Sequence, residues 1–269
     1  MGKRIAMIGG GNMASAMIGG LLRQGVAADD LDVLEPFADA QQKLQATYGI
    51  TAHALAGGFL SKADLVIWAV KPQIFKEATI PVQAFTTQAL HMSVAAGILS
   101  DSIAEWLGTE RVVRCMPNTP ALIGKGISGL FARPAVSHED RAWAEEVMSG
   151  TGETVWLTEE CQLDAVTALS GSGPAYVFYF METMTAAGVA MGLERNQAYA
   201  LAVSTFIGAS ELAKASAEPP EVLRERVTSK GGTTYAAICS MEESDMKGRF
   251  TQALFAAQQR AKELGEVLR

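Results

Sequence analysis

Three groups of residues in this 269-residue chain have types and spacings that could do chemistry. The first is Ile8-Gly9-Gly10-Gly11-Asn12-Met13-Ala14, set between a short apolar run and a segment with helical periodicity. In such a place Gly9 permits a tight turn, Gly11 lets a pyrophosphate come close to the backbone, and Ala14 packs a helix onto a strand. The helix start through Asn12 and Met13 offers unpaired amides and a partial positive charge to phosphate. The pattern fits a dinucleotide site, and a glycine turn with a purely structural role is the plain alternative. Glu35 follows the second apolar run, 24 positions after Gly11. A carboxylate there hydrogen-bonds an adenosine ribose and repels a 2′-phosphate, which favours NADH over NADPH. A solvated loop acid ahead of Pro36 explains it equally well.

The second group is three turns that end later apolar runs: Ala69-Val70-Lys71-Pro72, Ala95-Ala96-Gly97 and Pro117-Asn118-Thr119-Pro120. Ligands of open α/β sheets bind beyond the carboxyl ends of the strands, so turns on the glycine loop's edge would line a bound dinucleotide. Taken singly, each is also what proline and glycine do when they end a strand. The third group lies in Val227 to Ile238. Here Ser229, Gly231, Gly232, Thr233 and Thr234 present amides and hydroxyls together at a helix start, a neutral nest suited to a small carboxylate. A C-cap glycine followed by a threonine N-cap gives the same string with no ligand at all.

What is missing narrows the chemistry. His53, His91 and His138 stand beside none of these groups. Oxidising a hydroxy acid asks for a general base to take the alcohol proton, and no histidine is placed for it. Reducing a C=N bond asks less, because a protonated imine is already electrophilic and positioning carries most of the work. Cys115, Cys161 and Cys239 lie dozens of residues apart with no Cys-x-x-Cys pair, which reads as buried packing residues and no metal site.

Elements must position these groups, and their pattern is legible. Apolar runs at Arg4–Ile8, Asp32–Leu34, Leu65–Val70, Leu90–Ala95 and Val112–Cys115 read as buried parallel strands, with Ile127–Phe131 and Thr154–Leu157 as later strands open to an antiparallel course. Helical spacing at Asn12–Gln24, Ala38–Tyr48, Gln73–Thr79, Asp101–Leu107 and His138–Met148 alternates with them, giving an α/β, Rossmann-like doubly wound sheet over residues 1–160. After Thr158 the strand signals stop. Segments at Glu159–Leu169, Pro174–Met191, Arg195–Ala215, Pro220–Val227, Thr233–Glu243 and Thr251–Leu268 predict an all-α second domain over 161–269.

Charge and hydropathy exclude other classes. The net charge is −7, with 12 basic and 17 acidic side chains in residues 1–160 and 10 and 12 in the remainder, so neither nucleic acid nor an anionic membrane is an expected partner. Lys3-Arg4 and Ala14-Ser15-Ala16 imitate a secretion signal, but the apolar stretch between them is cut short by Gly9 to Asn12. The longest membrane-span candidate, Ala175 to Gly192, carries Glu182. A cytoplasmic protein is expected.

These motifs resemble those of the pyrroline-5-carboxylate reductase family along essentially the whole chain. The glycine loop, Ala69-Val70-Lys71-Pro72-Gln73, Ala95-Ala96-Gly97, Arg114 to Pro120 and Ser170-Gly171-Ser172-Gly173-Pro174-Ala175-Tyr176 are similar to its blocks and follow its order. The most diagnostic stretch is Val227 to Glu242, with its Thr-Ser-x-Gly-Gly-x-Thr core at Thr228 to Thr234. The resemblance implies reduction of L-1-pyrroline-5-carboxylate to L-proline with NADPH or NADH. It places the coenzyme on Gly9 to Ala14, Ala69 to Pro72 and Ala95 to Gly97, with the nicotinamide near Ala96 and Asn118. It puts the substrate carboxylate on Ser229, Gly231 and Gly232, and Thr234 near the ring nitrogen as the catalytic side chain. It also implies self-association through the helical domain, as interlocked dimers or a decamer of five. Two positions depart from what some members carry: Ala56 stands in place of their asparagine near the adenine, and Ala217, with Glu218 beside it, in place of their glutamate ahead of the substrate loop. Outside this resemblance, the residues also suit a reductase of another imine or a β-hydroxy acid, or a protein that senses NAD(P)H without turnover.

Overall fold

A computed structural model describes residues 2–267; Leu268, the expected end of the last helix, and Arg269 lie outside the described residues. In chain order the first part runs β1 (Ile5–Ile8), α1 (Asn12–Arg23), β2 (Leu31–Leu34), α2 (Ala38–Tyr48), β3 (Ala52–His53), β4 (Leu65–Trp68), α3 (Pro72–Thr79), β5 (Leu90–Ser93), α4 (Ser100–Leu107), β6 (Val112–Met116), β7 (Gly126–Ala132), α5 (His138–Ser149) and β8 (Gly152–Trp156). The eight strands form one sheet in the order β3-β2-β1-β4-β5-β6-β7-β8. The first six are parallel neighbours, whereas β7 turns back antiparallel on β6 and β8 follows β7 in parallel through α5. Both late strands therefore oppose the rest. β3, only two residues long, is the strand that the apolar runs do not show.

Period-two alternation sorts the strand residues into two layers, one on each face. Ile5, Met7, Val33, Leu65, Ile67 and Met92 pack against Met17, Ile18 and Leu21 of α1 and Val147 and Met148 of α5. Ala6, Ile8, Leu34, Val66 and Trp68 pack on the other face against Phe75, Ile103 and Leu107 of α3 and α4. Strands covered on both faces must be apolar at every position, which is why β1 and β4 read as unbroken runs.

The remaining elements are α6 (Gln162–Val166), a single π turn at Thr167–Gly171, α7 (Gly173–Ala190), α8 (Arg195–Ala215), α9 (Pro220–Arg226), α10 (Thr233–Glu243) and α11 (Met246–Val267). The chain divides into two compact units: one from the N-terminus to Gly173 together with the chain from Ala257 onward, and one of Pro174–Ala256. The change of texture at Thr158 lies inside the first unit, because α6 packs back on the sheet with Val166 directly over Gly129 of β7. α11 starts five residues ahead of the expected Thr251, at Met246, where the Asp245 side chain accepts from the Gly248 amide. Of the cysteines, Cys115 is buried, but Cys161 is exposed and Cys239 half-exposed, so the packing role expected of all three holds for Cys115. Cys161 falls in the connection between β8 and α6.

Candidate active site

The strand order reverses between β1 and β4, and the glycine loop sits at that switch point, where open α/β sheets bind their ligands. Gly9 takes φ +95°, and a Cβ on it would lie 2.7 Å from the Ala69 carbonyl oxygen. Only glycine lets the β1 turn pass that closely under the β4 turn. The turn is pinned by the Gly9 amide donating to the Leu34 carbonyl at 2.8 Å and the Ala69 amide donating to the Ile8 carbonyl at 2.8 Å. Gly11 is the N-cap of α1 with no side-chain cap, and nothing stands within 4 Å of where its Cβ would be. The amides of Asn12, Met13 and Ala14 precede the first intrahelical bond, and the first turn of α1 carries no acidic residue. Space, amides and dipole together make a seat for a pyrophosphate.

Glu35 is buried rather than solvated. One carboxylate oxygen accepts from the Gly10 amide at 2.7 Å and the other from the Phe37 amide at 2.9 Å. The acid therefore staples the glycine loop to the β2–α2 turn, and each oxygen keeps a lone pair for a ribose hydroxyl. No lysine or arginine occurs between Glu35 and Gln42 to receive a 2′-phosphate.

Because β4, β5 and β6 continue the sheet from β1 as one parallel run, their following turns gather on this same edge. Ala69 and Val70 are half-buried, Lys71 is the exposed N-cap of α3, and Pro72 is its first residue. Ala95 and Gly97 are buried, with Ala96 between them partly open. Asn118 is buried with its amide engaged on both sides: Oδ1 accepts from the Ile127 amide at 3.1 Å, and Nδ2 donates to the Ser170 carbonyl at 3.2 Å. It fixes the turn after β6 to β7 and to the π turn, the kind of helix irregularity often found at functional sites.

Under this edge lies a charged cluster that the motifs do not reveal. Glu160 accepts from the Ser100 amide and the Ser100 hydroxyl, each at 2.6 Å, and from Arg114 Nη1 at 2.7 Å. A carboxylate on the first turn of α4 meets the orphan amides there and the positive end of the dipole. Arg114 was the available signal, a cation inside the apolar run of β6; its partner 46 residues on carries none. Burial pushes the Asp164 carboxyl up, with Arg114 and Lys262 opposing.

Two buried titratable groups of the first unit, His91 and Cys115, are inert. Burial lowers His91 to about 4; its Nδ1 accepts from Trp68 Nε1 at 3.0 Å and its Nε2 faces the Thr86 carbonyl at 3.1 Å, so the ring is neutral. Burial pushes the Cys115 thiol up to about 12, beyond use as a nucleophile. Among the described residues no cluster of three or more His, Cys, Asp or Glu could hold a metal ion.

The second unit contains the other predicted group. After α9 the chain folds back through bonds from the Thr228 hydroxyl to the Arg224 carbonyl (2.6 Å) and from the Gly232 amide to the Ser229 carbonyl (3.0 Å), turning at Gly231. The N-cap of α10 is Gly232 without a side-chain bond, not a threonine. Thr233 and Thr234 are the first helical residues, so their hydroxyls are not used for capping, and the first-turn amides are free of intrahelical partners. Ser229 places its hydroxyl 2.9 Å from where a Gly232 Cβ would stand. Amides and three hydroxyls thus share one exposed turn, with no acidic residue in the first turn of α10.

Comparison with known proteins gives a consistent picture. Residues 160–264 match the family described as pyrroline-5-carboxylate reductase dimerisation, and residues 4–97 match NADP oxidoreductase coenzyme F420-dependent. The pyrroline-5-carboxylate reductase of Pseudomonas aeruginosa is 45% identical over 98% of both chains. The solved structure of a pyrroline-5-carboxylate reductase from Coxiella burnetii superposes with a TM-score of 0.91 at 35% identity, covering 97% of this chain and 98% of that one. That of the Plasmodium falciparum pyrroline carboxylate reductase with NADP bound gives 0.87 at 27% identity, covering 98% of each.

Proposed function

The chain belongs to the pyrroline-5-carboxylate reductase family, and from that membership we propose that it reduces L-1-pyrroline-5-carboxylate to L-proline, the last step of proline biosynthesis. NADPH or NADH, when bound, supplies the hydride that adds to the C=N carbon, and a proton on the ring nitrogen completes the amine. The observation that carries the reading is full-length identity to curated reductases, with the substrate-loop core Thr228 to Thr234 intact.

Each group has a role in this reading. Gly9, Gly11, Asn12, Met13 and Ala14 hold the pyrophosphate; Ala69, Val70, Lys71 and Pro72 line the nucleotide; Ala95, Ala96, Gly97 and Asn118 face the nicotinamide. Residues 1–160 supply the groups that touch the coenzyme, and 161–269 those that touch substrate and partner subunit. Ser229, Gly231, Gly232 and Thr233 hold the substrate carboxylate, and Thr234 orients the ring nitrogen and passes its proton. No side chain is asked to act as a strong general base, which suits an electrophilic imine. The protein self-associates through its dimerisation segment; dimers, assembled five to a ring, and a cytoplasmic location complete the proposal.

Loss of NAD(P)H absorbance on adding pyrroline-5-carboxylate tests the reaction. Coenzyme binding without turnover would instead favour a nucleotide sensor. Thr234→Ala is expected to lower kcat about 10–100-fold, the range of a lost transition-state contact. Unchanged kcat and KM would remove its role.

Glu35 supports a finer reading of the coenzyme, NADH over NADPH. Its held carboxylate and the turn without cations disfavour a 2′-phosphate. The ratio of kcat/KM for the two coenzymes is expected to favour NADH by about tenfold or more, equivalent to ~1.4 kcal/mol. Equal turnover with NADPH would overturn it.

A further inference from the structure

The Ala95–Gly97 turn is held partly by residues far along the chain. On its own side it has the Ala95 amide on the Ser93 hydroxyl at 3.3 Å and the buried Ile98. Ala95 and Ile98 also pack in the layer of Ile8, Trp68 and Phe75, and two further supports come from beyond residue 159. Glu160 grips Ser100, three residues past Gly97, by its amide and its hydroxyl. The last turns of α11 lie directly on the turn: a Cβ on Gly265 would be 3.0 Å from the Gly97 carbonyl oxygen, and one on Gly97 would be 3.2 Å from Leu264 Cβ. Gly97 has φ +79°, so the turn needs glycine there for its backbone as well as for the contact. Ala261 and Gly265, one helical turn apart, are the buried residues of this end of α11, while Lys262 beside them faces Asp164 of α6.

We propose that the C-terminal turns of α11 are a positioning element for the coenzyme, setting the height of the Ala95–Gly97 turn through the Gly97–Gly265 contact. The inference rests on the reading of that turn as the nicotinamide side of the site. A Cβ on Gly265 asks the helix end or the turn to give by a few tenths of an ångström, and the branched side chain of valine asks for more. Displacing a turn that orients a reacting ring by even 1 Å is enough to cost about 100-fold in rate. Gly265 touches no substrate in this scheme and acts only through Gly97.

The test is Gly265→Val in the full-length protein, with Gly265→Ala as a milder partner and Glu266→Val, on the exposed side of the same turn, as control. The expected result is a rise of tenfold or more in the NADH dissociation constant, measured by calorimetry without turnover, and a fall in kcat. KM for pyrroline-5-carboxylate and oligomer mass should stay near those of the parent, and Glu266→Val should match the parent throughout. Gly265→Ala should shift the same two quantities in the same direction by a smaller factor. It carries the test alone if the valine variant does not fold. Unchanged NADH affinity and kcat in folded Gly265→Val would overturn the proposal, and so would an equal rise in substrate KM or loss of assembly, which would mark a general structural effect. A parent protein that binds NADH but does not turn over would sink the reductase reading while leaving the calorimetric test intact.

Discussion

The two compact units differ in how they dispose of apolar side chains. In the first, Trp68 and Phe75 are fully buried and both sheet faces are covered by helices of the same chain. In the second, α7 buries only Thr185 and Gly188 and α8 only Ala198 and Ala202, while Phe178, Tyr179, Tyr199, Leu201 and Ile207 are exposed. A groove of about 660 Å³ between α7 and α8 is lined by Phe178, Met181, Tyr199 and Ile207, with Glu182 and Arg195 at its polar positions. A helix apolar all round belongs in an interior, and patches of this extent mark an interaction surface. The first unit is thus finished as a single chain, and the second is finished by self-association.

This contrast can be broken by experiment. Phe75→Ala is expected to cost the first unit roughly 3–5 kcal/mol, the range for a large aromatic removed from a packed core. Urea unfolding followed by tryptophan fluorescence checks it, and the loss should not depend on protein concentration. A similar loss that varies with concentration would show that the first unit also leans on assembly. Acid should act on the first unit as well. The folded state holds His91 near 4 against 6.5 when unfolded, so the unfolded chain binds the extra proton between these values. Stability is full above pH 6.5 and declines as pH falls towards 4, by roughly 3 kcal/mol in all. His91→Gln should flatten that slope, and an unchanged slope would assign it elsewhere. Phe178→Glu should leave unfolding of the first unit alone but weaken self-association about 100-fold, near 2.7 kcal/mol, by sedimentation. Leu55→Glu, an exposed apolar position of the first unit, should leave assembly unchanged.

Local signals made much of this legible. The runs at Ile5–Ile8 and Leu65–Trp68 show because strands buried on both faces have no polar positions, and the glycine loop shows because its function needs missing side chains at fixed places. β3 does not show, since two residues hold no period. The start of α11 is obscured by Gly248, a poor helix former, and set instead by Asp245. Glu35 was legible as an acid at the right place but not as a buried one, because its partners are backbone amides. The pairing of Glu160 with Ser100 and Arg114, and the meeting of Gly97 with Gly265, are products of topology. No short window of sequence contains both halves of either contact.

The stapled glycine loop has a consequence for the thermodynamics of coenzyme capture. With Gly9, Gly10 and Ala69 each donating to a fixed partner, the loop's backbone is already tied down without a nucleotide. Little conformational entropy then remains to be lost on association, where ordering a loop otherwise costs part of the affinity. Calorimetry should find a small entropic penalty for NADH in the parent protein and a larger one in Glu35→Ala, even where the enthalpy of phosphate binding is the same.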